Sequence, residues 1–324
     1  MSAPLIEVRD LTLAYAGRSG PIRAVRSASF TLGRGETLGL VGESGSGKST
    51  LGAALLRLPG AAARRTEGTI VFDGIDLGAL PEADMRKLRG ARIAMILQDP
   101  LASLNPLFTA GRQIAEVPRT HLGLAWSAAL ERAAQLLTAV RIADPHRRID
   151  DHPHQLSGGM RQRVAGAIAL AGSPDLIIAD EPTTALDPTV QLQYLDMLKA
   201  EQRARGFALI LISHDLAVVR RVCDRIAVMY AGRLVETGPA AQVLAAPRHP
   251  YTAALTGALP APGRRAGSLT VIPGTAPSLA ALPPGCAFHP RCGHASARCR
   301  EEEPESRSSM AGSSACHYPL AAAT

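Results

Sequence analysis

Residues 42–50 form a glycine-rich segment with the composition and spacing of a phosphate-binding loop. Its residues are Gly42, Glu43, Ser44, Gly45, Ser46, Gly47, Lys48, Ser49 and Thr50. Successive N–H groups of such a turn, ending at a helix N-terminus, form a concave anion site, and glycines allow turns that a Cβ would block. Lys48 would reach the β- and γ-phosphates of a nucleotide, and Ser49 would ligate Mg²⁺.

Two adjacent carboxylates, Asp180 and Glu181, follow the apolar run Leu176–Ala179. At the end of a buried strand, Asp180 can hold Mg²⁺ through its water shell, and Glu181 can polarise an attacking water. Phosphoryl transfer depends mainly on positioning and charge neutralisation, which these groups supply. The alternative is an acidic surface turn, but the phosphate-binding loop earlier in the chain favours a hydrolytic site.

A second candidate phosphate site consists of Ser157, Gly158 and Gly159, which precede an apolar helical segment. A serine and glycines at a helix start present N–H groups to an anion. One nucleotide does not need two such sites in one subunit, so we expect this loop to face a nucleotide bound to another subunit. The alternative is that Ser157 serves only as a helix N-cap.

Together, the segments GESGSGKST, LSGGM and LIIADEP resemble the nucleotide-binding subunit of an ATP-binding-cassette (ABC) transporter. The resemblance assigns Gln98 to a loop that senses the γ-phosphate and Mg²⁺, and His214 to a switch position. It places Asp187, in Ala185-Leu186-Asp187, at a dimer seam, and Tyr15 against the adenine. The structural alternatives are helix caps for Gln98 and Asp187, a surface position for His214 and a strand position for Tyr15.

The fold implied is an α/β P-loop NTPase cassette with a RecA-like core, an antiparallel β subdomain, a helical subdomain and a loop-rich C-terminal extension. We expect the cassette at 1–250, its helical subdomain at about 100–160 and the extension at 251–324. Apolar runs at Phe207–Ile212 and Ile226–Tyr230 are typical of buried parallel strands. Trp126–Val140 has apolar residues at helical spacing, and residues 5–15 alternate as a strand does.

A narrower resemblance, to the oligopeptide/dipeptide importer branch, rests on 98–106, 154–163, 249–252 and the cysteine-containing tail. Within that branch, the chain resembles the first of two paired ATPase subunits, the D-type subunit. The resemblance implies a second ABC ATPase subunit, a paralogue, with two transmembrane permease subunits and an extracytoplasmic substrate-binding protein. The expected location is peripheral, on the cytoplasmic face of the inner or plasma membrane. Importers of nickel and glutathione share this branch, so the cargo stays open.

Four cysteines of the extension, Cys286, Cys292, Cys299 and Cys316, are separated by five, six and sixteen residues. Structural zinc sites usually show tighter pairs, and a reducing compartment disfavours disulfides. Iron–sulfur clusters tolerate looser spacing, and the resemblance points to a [4Fe–4S] cluster. Zinc, a disulfide and unligated thiols remain alternatives.

The overall composition argues against nucleic-acid binding, secretion and membrane spanning. The 324-residue chain has a net charge of +7, but its arginines are scattered and aromatics make up only 3%, so stacking platforms for nucleic acid are missing. We therefore expect no nucleic-acid partner; a soluble ABC ATPase acting on nucleic acid is the rival class. The N-terminus resembles no signal peptide, and no apolar run reaches the length that spans a bilayer.

Overall fold

The computed structural model describes residues 3–17, 20–58, 63–184, 186–258, 272–309 and 312–321. The strands are β1 (Ile6–Gly17), β2 (Gly20–Leu32), β3 (Thr37–Val41), β4 (Ala63–Phe72), β5 (Ile75–Asp76), β6 (Ile93–Ile96), β7 (Leu176–Asp180), β8 (Ala208–Ser213), β9 (Arg225–Tyr230), β10 (Arg233–Pro239), β11 (Arg307–Ser309) and β12 (Gly312–Ser314).

The α-helices are α1 (Lys48–Ala54), α2 (Glu82–Leu88), α3 (Pro100–Ser103), α4 (Ala110–Leu122), α5 (Trp126–Ala139), α6 (Pro145–Arg148), α7 (Gly158–Leu170), α8 (Pro188–Arg205), α9 (Leu216–Val222), α10 (Ala240–Ala245), α11 (Pro250–Gly257) and α12 (Ala297–Glu301). Short 3₁₀ helices occupy Pro153–Gln155 and His289–Arg291. No helix within the described ranges is both long enough and apolar enough to cross a bilayer.

The chain divides into two compact units. The first comprises Met1–Leu5, Gly33–Glu36 and Ala79–Ile212, and the second comprises Ile6–Leu32, Thr37–Gly78 and Ser213–Thr324. The expected boundary near residue 250, between cassette and extension, stays a prediction.

An antiparallel sheet in the second unit has the strand order β2-β1-β4-β5. Strand β1 pairs with β2 on one side and β4 on the other, with Ile6 opposite Leu32 and Phe72. All three of these side chains are fully buried. The register shifts between Val8 and Leu11, which ends the simple alternation predicted for residues 5–15. The predicted N-terminal antiparallel sheet is confirmed.

The second unit also contains strands from both the cassette and the extension. Strand β3 pairs in parallel with β9, and β9 pairs antiparallel with β10. Strand β12 of the extension pairs with β10 through Glu236 opposite Ser314, and β11 pairs with β12. The extension therefore adds strands to this sheet.

The first unit contains the parallel strands β6, β7 and β8, in that order. Every residue of β7 and β8 is buried. Strands covered on both faces require continuous apolar runs rather than alternation, which is why their sequences were recognisable as parallel strands.

Helix α5 confirms the helix predicted at Trp126–Val140, and the helical subdomain expected at about 100–160 stays a prediction. Of the apolar positions predicted at helical spacing, α5 buries Ala133, Ala134 and Leu137, and Leu130 is half-buried. Helix α5 packs against α4 and α7. Thr109 caps the start of α4 by accepting the N–H of Arg112, and a left-handed Gly123 ends it.

We expect Ile178→Ala, in the buried strand β7, to lower the free energy of unfolding by about 2–5 kcal/mol, since truncation leaves a cavity in a close-packed core. Leu192→Ala, at an exposed position of α8, should change it by less than about 0.5 kcal/mol. Urea denaturation followed by circular dichroism measures both. Equal shifts would contradict the assignment of β7 to the core.

Candidate functional site

The glycine-rich segment connects the buried strand β3 to helix α1, so the loop ends at a helix N-terminus as predicted. Gly42 and Gly47 have φ angles of 150° and 103°. A Cβ on Gly42 would collide with the carbonyl oxygen of Met229, and one on Gly47 would collide with that of Ala24. Both glycines are therefore required by backbone conformation and by the close approach of neighbouring chain.

The Lys48 side chain is buried beneath this loop. Its Nζ donates hydrogen bonds of 2.9 Å to the carbonyl oxygens of Gly42 and of Glu43. The ammonium is thus held against the loop that would seat the phosphates. Ser49 follows it in the first turn of α1 and is exposed.

A buried hydroxyl in the same loop has an unmet hydrogen-bonding capacity. Ser46 is 4% exposed, and its Oγ has no hydrogen-bond partner among the described residues. An unsatisfied buried hydroxyl costs about 1–3 kcal/mol, so a further ligand at the loop is favoured. Ser44 and Gly45 are exposed, and Gly45 takes a φ of 77°.

In the first unit, Glu181 is held in a defined position after β7. Its N–H donates to the Ile212 carbonyl at 3.0 Å, and its Oε2 accepts from Gln98 Nε2 at 3.2 Å and from Thr184 Oγ1 at 3.0 Å. Its φ of 45° is uncommon for a residue with a side chain. The structure thus brings Gln98 and Glu181 together, and adds Thr184, which sequence reasoning missed although it follows closely in the chain.

The remaining predicted residues occupy varied positions. Asp180 is buried as the last residue of β7, whereas His214 is exposed after β8. Asp187 caps α8 by accepting the N–H groups of Thr189 and Val190, as one alternative foresaw. Tyr15 is half-buried in β1. Ala185, from the predicted seam motif, lies outside the described residues.

Ser157 caps α7 by accepting the N–H of Met160 at 3.3 Å, and the expectation that its loop faces a nucleotide on another subunit stays a prediction. Gly158 is exposed, and a Cβ there would meet no atom of the described residues within 4 Å. Its φ is not positive either. The packing of the described residues therefore does not require a glycine at position 158, which favours an external reason for one.

The four cysteines of the extension line one cavity, together with His249, Phe288, His289 and other residues. None forms a disulfide. Burial raises the pKa of the Cys286 thiol to about 11, and the thiols of Cys316, Cys299 and Cys292 act in the same direction. Within the described ranges, no three His, Cys, Asp or Glu side chains are grouped so as to hold a single metal ion.

Glu43 differs from the rest of the loop because residues from the later chain engage it. Its N–H donates to Tyr251 Oη at 2.8 Å, and its carboxylate pairs with Arg291. Both partners were missed as site residues. The only sequence feature that pointed to Tyr251 and Arg291 was that segment 249–252 and the cysteine-containing tail resemble the importer branch.

Comparison with known proteins identifies two family regions. Residues 25–184 match the ABC transporter family, and residues 235–299 match the oligopeptide/dipeptide transporter C-terminal region. The dipeptide transport ATP-binding protein DppD of Escherichia coli (strain K12) is 47% identical over 98% of this chain and 97% of its own length. The oligopeptide transport ATP-binding protein OppD of Salmonella typhimurium is 44% identical over 98% and 94%.

A solved structure supports the same family assignment. The dimeric post-hydrolysis state of an ATP-binding cassette bound to ADP and Pi has a TM-score of 0.66 and 28% identity, covering 72% of this chain and 98% of that one. The predicted α/β cassette fold is confirmed. The chain belongs to the ABC transporter ATP-binding protein family.

Proposed function

We propose that this chain is the ATP-hydrolysing subunit of an ABC transporter that imports di- or oligopeptides. The observation that carries the proposal is the 47% identity to a dipeptide transport ATP-binding protein over 98% of the chain, extension included. The match of residues 235–299 to the C-terminal region of oligopeptide/dipeptide transporters supports the same cargo class. Nickel or glutathione is the alternative cargo within this branch.

Binding of ATP is assigned to the loop between β3 and α1. Its N–H groups and Lys48 take the phosphates, and Ser49 is a ligand for Mg²⁺, which neutralises phosphate charge when bound. The unpartnered Ser46 hydroxyl supports a ligand at this loop. Tyr15 stacks on the adenine.

Hydrolysis of ATP to ADP and phosphate is assigned to the carboxylates after β7. Glu181 orients the attacking water and accepts its proton. The hydrogen bonds that Gln98 and Thr184 donate to Oε2 hold the Glu181 carboxylate in one orientation. Asp180 and Gln98 complete the surroundings of Mg²⁺. His214 senses the γ-phosphate.

Two cassettes are proposed to act together, with the Ser157 loop of one facing the ATP of the other and Asp187 at the seam. Gly158 supports this arrangement, because no described part of its own chain would contact a Cβ at this position. The related cassette of known structure is dimeric. The proposed second cassette is a paralogue.

The remaining partners are two transmembrane permease subunits and an extracytoplasmic substrate-binding protein, with this chain peripheral on the cytoplasmic face of the membrane. Within this assembly, ATP binding and hydrolysis shift the populations of the transporter's access states.

The assembly and its cargo are tested by purifying the tagged chain from membranes in mild detergent. We expect two multi-spanning proteins and a second cassette to co-purify, and peptides with the cognate binding protein to stimulate ATP hydrolysis. Stimulation of ATP hydrolysis by nickel or glutathione alone would contradict peptide import and support the alternative cargo. Stimulation by nucleic acid alone would contradict it.

In the same complex, Glu181→Gln should reduce kcat by about 100-fold or more while leaving the KM for ATP nearly unchanged, since the amide keeps the hydrogen bonds but cannot accept a proton. Glu201→Gln is the matched control, because Glu201 pairs with Arg205 on the surface of α8.

The role of the signature loop is tested by Gly158→Asp. The Cβ of the new side chain would meet no described residue of its own chain, so the isolated subunit should fold and bind ATP normally. In the assembled transporter it should lower ATP hydrolysis by about tenfold or more, because a carboxylate would face the partner's phosphates. Ser127→Asp, in the exposed first turn of α5, is the control. Equal activity of the two variants would contradict the two-cassette arrangement.

The four cysteines are proposed to hold a [4Fe–4S] cluster with a structural role. The support is their convergence on one cavity without a disulfide. A cluster occupies more space than a single ion and takes ligands that stand further apart. Iron would supply the positive charge that stabilises four thiolates.

We expect the anaerobically purified chain to contain about four irons and to lose them in Cys292→Ser, with a lower thermal unfolding midpoint. The buried Cys223, which lies outside this cavity, supplies the control variant Cys223→Ser, which should retain the iron. Elemental analysis that finds zinc would select the alternative metal, and analysis that finds neither would reject a metal site.

A further inference from the structure

The first anchor of the phosphate-binding loop is a buried ion pair that links Glu43 to the extension. Arg291 Nη1 and Nη2 donate to the two carboxylate oxygens of Glu43 at 2.6 and 2.9 Å. This bidentate geometry fixes direction as well as distance. Residues 248 positions apart in the sequence are thereby joined at the second residue of the loop.

The surroundings of Arg291 show that the pair is built into the fold. The Arg291 side chain is 5% exposed and that of Glu43 is 27% exposed. Arg291 Nε also donates to the Pro273 carbonyl at 2.8 Å, and Nη1 donates to Tyr230 Oη at 3.3 Å. The hydrogen bonds to Glu43 raise the pKa of the guanidinium. A buried charge with this many partners is costly to leave unpaired.

A second anchor acts on the loop backbone. The Glu43 N–H donates to Tyr251 Oη at 2.8 Å, and Tyr251 is fully buried in α11. This N–H is therefore committed to the protein rather than to a phosphate. The role of position 43 is to hold the loop, while the N–H groups of the residues that follow it bind the phosphates.

An aromatic cluster supports both anchors. The rings of Tyr230, Tyr251 and Phe288 lie with centroids 4.5–5.3 Å apart. A chain with only five tyrosines and five phenylalanines places three of them here. Phe288 and Arg291 both lie between Cys286 and Cys292, so the aromatic cluster and the ion pair belong to the segment that carries two of the cysteines.

The extension also lines a cavity at the same loop. A cavity of about 360 Å³ is bounded on one side by residues 43–46 and on another by residues 276–280 of the extension. The C-terminal extension therefore contacts the loop at its anchored residue and flanks the space beside its exposed residues.

We propose that the C-terminal extension positions the phosphate-binding loop for ATP, with Arg291 as the positioning residue acting through the Glu43 carboxylate. The inference rests on the proposed ATP site. An anchored loop presents its N–H groups to the phosphates without first losing conformational freedom, so ATP binds more tightly. The segment around the cysteines thereby becomes a determinant of nucleotide affinity.

Arg291→Met in the full-length chain should raise the KM for ATP of the assembled transporter by about tenfold, with kcat lowered by less than about threefold, because the loop binds ATP in the ground state as well. Glu43→Gln should raise KM by about threefold, and the double variant should be no worse than Arg291→Met, as expected for residues acting through one contact. Arg291→Lys should restore part of the affinity.

Arg9→Met is the matched control, since Arg9 makes a bidentate pair with Glu7, whose side chain is also 27% exposed, but on the surface of β1. If Arg291 had only a structural role, Arg291→Met would lower kcat per purified chain and leave the KM for ATP unchanged. An unchanged KM in Arg291→Met, the same change in Arg9→Met, or multiplicative effects in the double variant would each overturn the proposal.

Hydrogen exchange of the wild-type chain tests the same link without a substitution. Because coupling is reciprocal, MgATP should slow amide exchange at residues 286–292 as well as at 42–50. Protection at the loop alone would overturn the positioning role of the extension while leaving the ATP site intact. No protection at the loop would instead reject the proposed nucleotide site itself.

Discussion

A phosphate-binding loop must leave several backbone N–H groups unpaired so that a polyanion can take them, and a loop with unpaired N–H groups has few internal hydrogen bonds to hold its shape. The shape has to come from the surroundings. Here Gly42 and Gly47 pack directly against the carbonyls of Met229 and Ala24, and Lys48 bonds the loop carbonyls from within. The commitment of the Glu43 N–H to Tyr251 completes this support.

The same requirement explains how the C-terminal extension is built. Strand β12 pairs with β10, and the buried Glu236 on β10 accepts the N–H groups of Arg248 and His249 just before α11. These contacts fix the start of the helix that carries Tyr251. The extension is therefore integrated into the second unit by backbone pairing and buried polar contacts, and Arg291 lies within that framework.

Helix capping and chemistry use the same side chains in this fold. Ser157 and Asp187 each accept N–H groups at the start of a helix, and both are assigned to nucleotide-dependent contacts in the proposed dimer. The two roles do not exclude each other, because a capped helix N-terminus still has further N–H groups directed outward. The capping contacts are therefore compatible with the proposed role of both residues.

Local sequence determined the elements that depend on local physics. Continuous apolar runs identified β7 and β8 because strands buried on both faces need them, and the glycine spacing located the phosphate-binding loop because only glycine fits its turns. Helix α5 was placed within one residue at its C-terminal end. Cysteine spacing marked the extension as a candidate metal site but could not show that its four thiols share one cavity.

Only the tertiary structure decided what holds Glu43. Arg291 and Tyr251 are separated from the loop by more than 200 residues, and neither periodicity nor spacing carries information about contacts over that distance. Such pairs form only when a sheet and its helices bring distant segments together. In the low-dielectric interior, a buried arginine without a carboxylate partner would be strongly destabilising. The sequence alone therefore defined the phosphate-binding loop, and the folded chain defined its support.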